Sequence, residues 1–259
     1  MIADVTTAAA GIAVFGFLFA GFVKGATGLG FSSTCLPFLV LALGLERAMP
    51  LVLVSSIASN AMVHVQAGAV RETVSRFWPM FLGLMPGLAL GLWLLAHVNL
   101  VIAAGGLGVV LMVYGVWTLG HIDAQLPARL SYGLRVPVGV ATGLVNGVTG
   151  SQIMPVLPFL LAQPLRREIF LQAINISFTL SSIVVAVGLW KIGFLTGELA
   201  FWSVAGTLPA ALGVAAGTRV RNQLGSQAFR RAVLLTLIGL GALLVARASG
   251  VAVGASLGS

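Results

Sequence analysis

Two short glycine-rich stretches hold the residue types best able to do chemistry: Lys24-Gly25-Ala26-Thr27-Gly28-Leu29-Gly30 and Asn146-Gly147-Val148-Thr149-Gly150-Ser151-Gln152. Each interrupts apolar sequence, and non-helical backbone at membrane depth is costly unless it is buried in protein or lines a wet cavity. A break frees backbone N–H groups, and the helix that resumes points its positive end back at it. Thr27, Ser32, Ser33, Thr34, Thr149, Ser151 and Gln152 add side-chain donors, and Lys24 adds a positive charge. Such a set suits holding a small anion. The competing reading is that the glycines only let helices pack closely, as small-xxx-small spacing does at Gly21/Gly25 and Gly83/Gly87/Gly91. Gly25-x-x-Gly28-x-Gly30 is not a nucleotide fingerprint, because no strand precedes it and no paired acid follows in a βαβ unit.

Two polar stripes come next. Ser55 and Ser59 are four apart, as are Ser56, Asn60 and His64, which puts them on one broad helical face. Gln172, Asn175, Thr179 and Ser182 form a second stripe in the other half of the chain. Polar stripes on apolar helices face a bundle interior or a cavity, or serve as hydrogen-bonding glue between helices. His64 fits a proton relay, a satisfied core residue or a substrate donor. The candidate substrate-binding set is Lys24, Gly25, Thr27, Gly28, Gly30, Ser33, Asn60, His64, Asn146, Gly147, Thr149, Gly150, Ser151, Gln152 and Asn175.

The acids Asp4, Glu46, Glu72, Asp123, Glu168 and Glu198 all lie outside or at the edge of apolar runs. The usual carboxylate site for proton or sodium coupling is therefore not expected, which favours an anion over a cation as the solute. No His/Asp/Glu cluster suggests a metal, no Gly-x-Ser-x-Gly elbow or triad suggests a hydrolase, and no cofactor is expected. The single Cys35 gives no disulfide framework and reads as a small apolar filler.

The elements that position these residues must be membrane helices. Of 259 residues, 59% are hydrophobic and 8% charged, with a mean hydropathy of +1.08. A soluble globule usually carries about a quarter charged residues, so the expected surroundings are a lipid bilayer. Apolar runs fall at 7–23, 29–44, 50–68, 79–97, 100–120, 134–146, 151–163, 169–189, 199–216 and 232–248. Runs of about 18 or more can span; those of about 13 to 16 suit re-entrant half-helices. Continuous apolar runs argue against a β-barrel. The net charge of +8 sits mostly between the runs, as in cytoplasmic loops, and not in a nucleic-acid-binding patch. No basic residue precedes Lys24, so the first run reads as retained and not as a signal peptide.

The chain repeats itself. Gly21-Phe-Val-Lys-Gly25-Ala-Thr27-Gly28 matches Gly143-Leu-Val-Asn-Gly147-Val-Thr149-Gly150, and Leu36-Pro37-Phe38-Leu39 matches Leu157-Pro158-Phe159-Leu160. Phe77-Trp78 with Gly83-x-x-Pro86 matches Phe201-Trp202 with Gly206-x-x-Pro209, at a shift of roughly 122 residues. Residues 1–125 and 126–259 are therefore expected to be two transmembrane repeats, with a site between them. Suppose 7–23 with 29–44, and 134–146 with 151–163, are hairpins that enter and leave on one side. One face then collects Arg71, Arg76, Arg129, Arg135, Arg166, Arg167, Arg219, Arg221, Arg230 and Arg231. The other keeps Arg47, Lys191 and Arg247, whereas single crossings would divide the charges six to seven. The positive-inside bias selects the hairpins, and with them inverted repeats whose termini both lie outside. The expected fold is all-α and integral to the membrane, each repeat being a glycine-interrupted hairpin plus about three spanning helices.

The duplicated Gly-[Phe/Leu]-Val-x-Gly-x-Thr-Gly block followed by Leu-Pro-Phe-Leu resembles the TauE/SafE family of sulfite and organosulfonate transporters, over essentially the whole chain. The resemblance implies a multi-pass permease of the bacterial cytoplasmic membrane that moves sulfur-containing anions such as sulfite or sulfoacetate. It does not distinguish the anion, the direction, the coupling ion or the oligomeric state. The second block lacks the third glycine and carries Ser151-Gln152 instead. An anion channel, a non-transporting assembly subunit and a membrane enzyme are the alternatives.

Overall fold

The computed structural model describes residues 6–28, 30–120, 126–220 and 227–257, the side chains of 62–67, 128 and 251–257 excepted. All regular structure among these residues is helical: α1 Thr7–Thr27, α2 Phe31–Leu43, α3 Leu45–Ala67, α4 Val70–His97, α5 Leu100–Leu119, α6 Ala128–Thr149, α7 Val156–Leu161, α8 Arg167–Lys191, α9 Gly197–Ala205, α10 Thr207–Val220 and α11 Gln227–Leu257.

Six stretches among the described residues are long and apolar enough to cross a membrane: α1, α4, α5, α8, α9 with α10, and α11 as far as Gly250. The polarity of these helices is inverted relative to a soluble bundle. Phe15, Trp78, Leu82, Trp93, Trp190, Phe201 and Leu208 face outward, while Lys24, Ser33, Asn60, Asn146, Gln152 and Asn175 are buried. Water would penalise that arrangement on both counts; hydrocarbon around the rim and polar groups paired within reverses the balance. The chain is a multi-pass membrane protein.

Glycine decides which helices pack most closely. A Cβ added to Gly87 would sit 2.1 Å from the Val140 carbonyl oxygen, and one on Gly143 2.4 Å from that of Leu84, so α4 and α6 touch backbone to backbone. Between α1 and α10, Gly25 meets the Val214 oxygen at 2.3 Å and Gly217 meets that of Phe22 at 2.1 Å on the same test. In lipid there is no hydrophobic drive between helices, so this close van der Waals contact supplies much of the association. The contacts rise together in residue number, Gly83 on Val136, Gly87 on Val140 and Gly91 on Leu144, so α4 and α6 run parallel. α1 and α10 are parallel by the same criterion. α5 and α11 are antiparallel: Gly105 meets Ala248 while Gly115 meets Ile238.

One sequence match shifts in three dimensions. Gly87 approaches Val140 and Leu144; Gly213 approaches Leu18 and Phe22, the residues that stand roughly 122 positions earlier. Gly87 and Gly213 therefore play the same part, and Gly83-x-x-Pro86 and Gly206-x-x-Pro209 stand about one helical turn apart. The extra residues fall where the helix breaks between α9 and α10 at Gly206, with the Phe17 ring against it.

The basic helix ends meet. Arg166, at the start of α8, pairs with Glu72 in the first turn of α4. The Arg76 and Arg135 guanidinium groups lie 5.5 and 5.4 Å from the Phe77 ring centroid.

Candidate functional site

The first break is a sharp hairpin tip. Gly28 caps α1 at φ 83° and Gly30 opens α2 at φ 82°, left-handed conformations that a side chain would strain. Phe38 packs against Phe15 and Phe19, so α2 folds straight back along α1. Just past the tip, the Ser32 hydroxyl donates to Ser56 Oγ at 2.7 Å. Ser56 is the twelfth of the 23 residues of α3, so the tip stands about halfway along that helix.

The second break differs. Gly150 caps α6 at φ 74°, but no helix resumes directly. Ser151–Pro155 are non-helical, and α7 is only six residues long. The apolar run at 151–163 is thus mostly not helix, because Ser151, Gln152 and Pro155 interrupt it. The positive helix end expected to face the break is absent from this half. Gln152 crosses to α8, where its Nε2 donates to Ser182 Oγ at 3.0 Å. At the hairpin's open end Ser131 Oγ donates to Gln163 Oε1 at 2.8 Å.

Lys24 sits one turn before the first tip and is 3% exposed. Its Nζ donates to Asn60 Oδ1 on α3 at 2.7 Å and to Asn175 Oδ1 on α8 at 3.1 Å. Both acceptors are amide oxygens. An ammonium has three donors, and those bonds use two of them. Asn175 is held in turn by a bond from its Nδ2 to the Leu171 carbonyl at 2.7 Å. Asn60 Nδ2, Asn146 Nδ2, Ser33 Oγ and Ser151 Oγ are buried with no protein partner. Buried polar groups are nearly always paired, so these uncommitted donors make a candidate site.

A cavity of about 20 Å³ lies between the breaks, lined by Ser32, Ser56, Asn146, Gly150, Gln152 and Ser182 among others. It has room for one water. Asn60 stands one turn beyond Ser56 on α3, and Asn175 two turns before Ser182 on α8, so the lysine and the cavity share both helices. The same placement shows α3 and α8 running antiparallel. Gln152 Oε1 faces no donor, but turning the amide over would let Ser182 donate to it and free an N–H.

Other expected site residues fall elsewhere. Gly25 and Gly147 are taken up by helix packing, against Val214 and Gly91 respectively. Thr27 and Thr149 donate their hydroxyl protons to the Val23 and Val145 carbonyls at 2.8 and 2.7 Å, and Thr149 Oγ1 also accepts from Ser151 N. Such bonds to the preceding turn leave no proton for a ligand. The His64 side chain lies outside the described residues. Ser203 was not expected in any role: it accepts from Val54 N and donates to the Leu51 carbonyl, where Pro50 weakens the first turns of α3. No local pattern singles it out; only the approach of α9 does.

A membrane-embedded helical bundle with a buried, donor-rich centre, and no acid near it among the described residues, suits a solute-handling membrane protein. The family model for the sulfite exporter TauE/SafE matches residues 12–244, and the chain belongs to that family of membrane transporters. Comparison with curated proteins and with solved structures gave no match.

Proposed function

We propose that the protein is a permease for small sulfur-containing anions, sulfite or organosulfonates such as sulfoacetate, working by alternating access between two inverted repeats, residues 1–125 and 126–259. The observation that carries the reading is Lys24, buried beside the first break and bridging Asn60 of one half to Asn175 of the other. A cation held only by neutral amides attracts an anion, and one held by both halves lets that anion sense their relative movement. The uncommitted donors on Asn60, Asn146, Ser33 and Ser151 would replace the anion's hydration shell.

Inverted repeats are supported by the contacts between matching helices. α3 lies antiparallel to α8 and α5 to α11, while α1 pairs with α10 as α6 pairs with α4. Exchanging the halves about an axis in the membrane plane turns this pattern into itself. The small size of the cavity favours a carrier over an open pore. An anion channel is the alternative, and conductance above carrier rates would identify it.

The test is radiolabelled sulfite flux in proteoliposomes. Lys24→Met should lower saturable flux ~100-fold and Asn60→Leu should lower it too, while the protein stays monodisperse. Wild-type flux in both variants would sink the proposal.

A further inference from the structure

We infer that the carrier takes its solute as a monoanion, with Lys24 as the one counter-charge among the described residues of the site. This rests on the anion-permease reading and narrows it. The two breaks match in glycine placement, but where the first carries Lys24 the second carries Asn146. The site so gains one positive charge where a symmetric one would hold two or none. All the described acids, Glu46, Glu72, Glu168 and Glu198, stand at helix ends, and Arg230 lines a separate cavity with Thr27, Gly30 and Thr34. Among the described residues the Lys24 amine donates to neutral groups, Asn60 and Asn175. The other polar groups around the cavity, Ser32, Ser56, Asn146, Gln152 and Ser182, are neutral.

In a low-dielectric core an uncompensated charge is far more costly than a compensated one. One negative charge beside Lys24 leaves the loaded centre neutral. A second would be left to amide and hydroxyl dipoles alone. Hydrogen sulfite and simple alkylsulfonates meet the rule. Sulfate does not, and sulfoacetate, whose carboxylate and sulfonate are both ionised at neutral pH, drops out of the solutes proposed above. Sulfite near neutrality is a mixture of both charge states, and the site would draw from the singly charged fraction.

Methanesulfonate and sulfate separate charge from shape, since both are tetrahedral at sulfur and each holds one charge state near neutral pH. Calorimetric titration of the purified full chain should show methanesulfonate binding within a few-fold of sulfite, and sulfate at least ten-fold more weakly. Lys24→Arg should keep methanesulfonate binding, and Lys24→Met should lose it. A second cation from Asn146→Lys should narrow the gap between sulfate and methanesulfonate. Sulfate binding as tightly as methanesulfonate would overturn the single-charge rule and leave the permease standing. A folded Lys24→Met protein with wild-type methanesulfonate affinity would remove Lys24 as the counter-charge. If neither sulfite nor methanesulfonate binds the wild-type chain, the permease reading falls and takes this inference with it. If Lys24→Met fails to fold, the wild-type comparison and Lys24→Arg still decide.

Discussion

The first and second breaks share an eight-residue pattern and differ in structure. Around the first, a 13-residue helix resumes at once, the tip is set by two left-handed glycines, and a lysine reaches across to both halves. Around the second, one left-handed glycine remains, the chain runs non-helically to Pro155, and an asparagine with an uncommitted Nδ2 stands in the lysine's place. What the two share is the packing face: Gly21 and Gly25 lie against α10 as Gly143 and Gly147 lie against α4. The two breaks share the contacts that mount each hairpin and differ in the groups that would touch a solute. A symmetric frame with an asymmetric centre is what a carrier of a singly charged solute would need.

The shared packing face is the part most easily broken. Gly147→Leu puts carbon where a Cβ already lies 2.7 Å from the Gly91 Cα and the Leu92 nitrogen. Overpacking costs about 1–3 kcal/mol where neighbours can shift, and here they are backbone. Gly25→Leu meets the Val214 oxygen in the same way. Both variants should lose the monodisperse protein peak, whereas Gly133→Ala, with nothing within 4 Å, should hold or raise the melting temperature. Similar melting curves for all three would break the comparison.

The centre should respond unequally. Lys24→Met is expected to lower sulfite flux ~100-fold, since losing one partner of a buried charged contact costs about 2–5 kcal/mol. Asn146→Leu removes neutral hydrogen-bonding capacity, worth about 1 kcal/mol, or about five-fold in flux. Equal losses would mean that the halves contribute alike.

Smaller effects sharpen the frame. Ser56→Ala leaves the buried Ser32 hydroxyl without its acceptor and should cost about 1 kcal/mol of stability, with Ser32→Ala/Ser56→Ala costing less than the sum of the single changes. Glu72→Gln breaks the exposed pair with Arg166, so thermal stability should move by less than about 1 kcal/mol and flux should not change.

Much of the frame was legible beforehand. The runs at 79–97, 100–120, 169–189, 199–216 and 232–248 lie within or nearly coincide with helices long enough to span, because lipid demands long continuous apolar sequence. The run at 50–68 became the helix α3. The lengths of helix on either side of the second break were not legible, nor was the one-turn slip between Gly83 and Gly206; both depend on what the segment packs against. Lys24, Asn60 and Asn175 could each be singled out by type, but 151 residues separate the first from the last.

By itself the chain's order of residues determined the solvent, the helical class, the two breaks and the family, since each follows from local composition or a short-range pattern. The tertiary structure alone decided that Gly25 and Gly147 serve packing, that the two threonines spend their protons on their own helices, and that one lysine meets an asparagine from each half. Those outcomes depend on which helices come within contact distance, and sequence spacing does not encode distance across a fold.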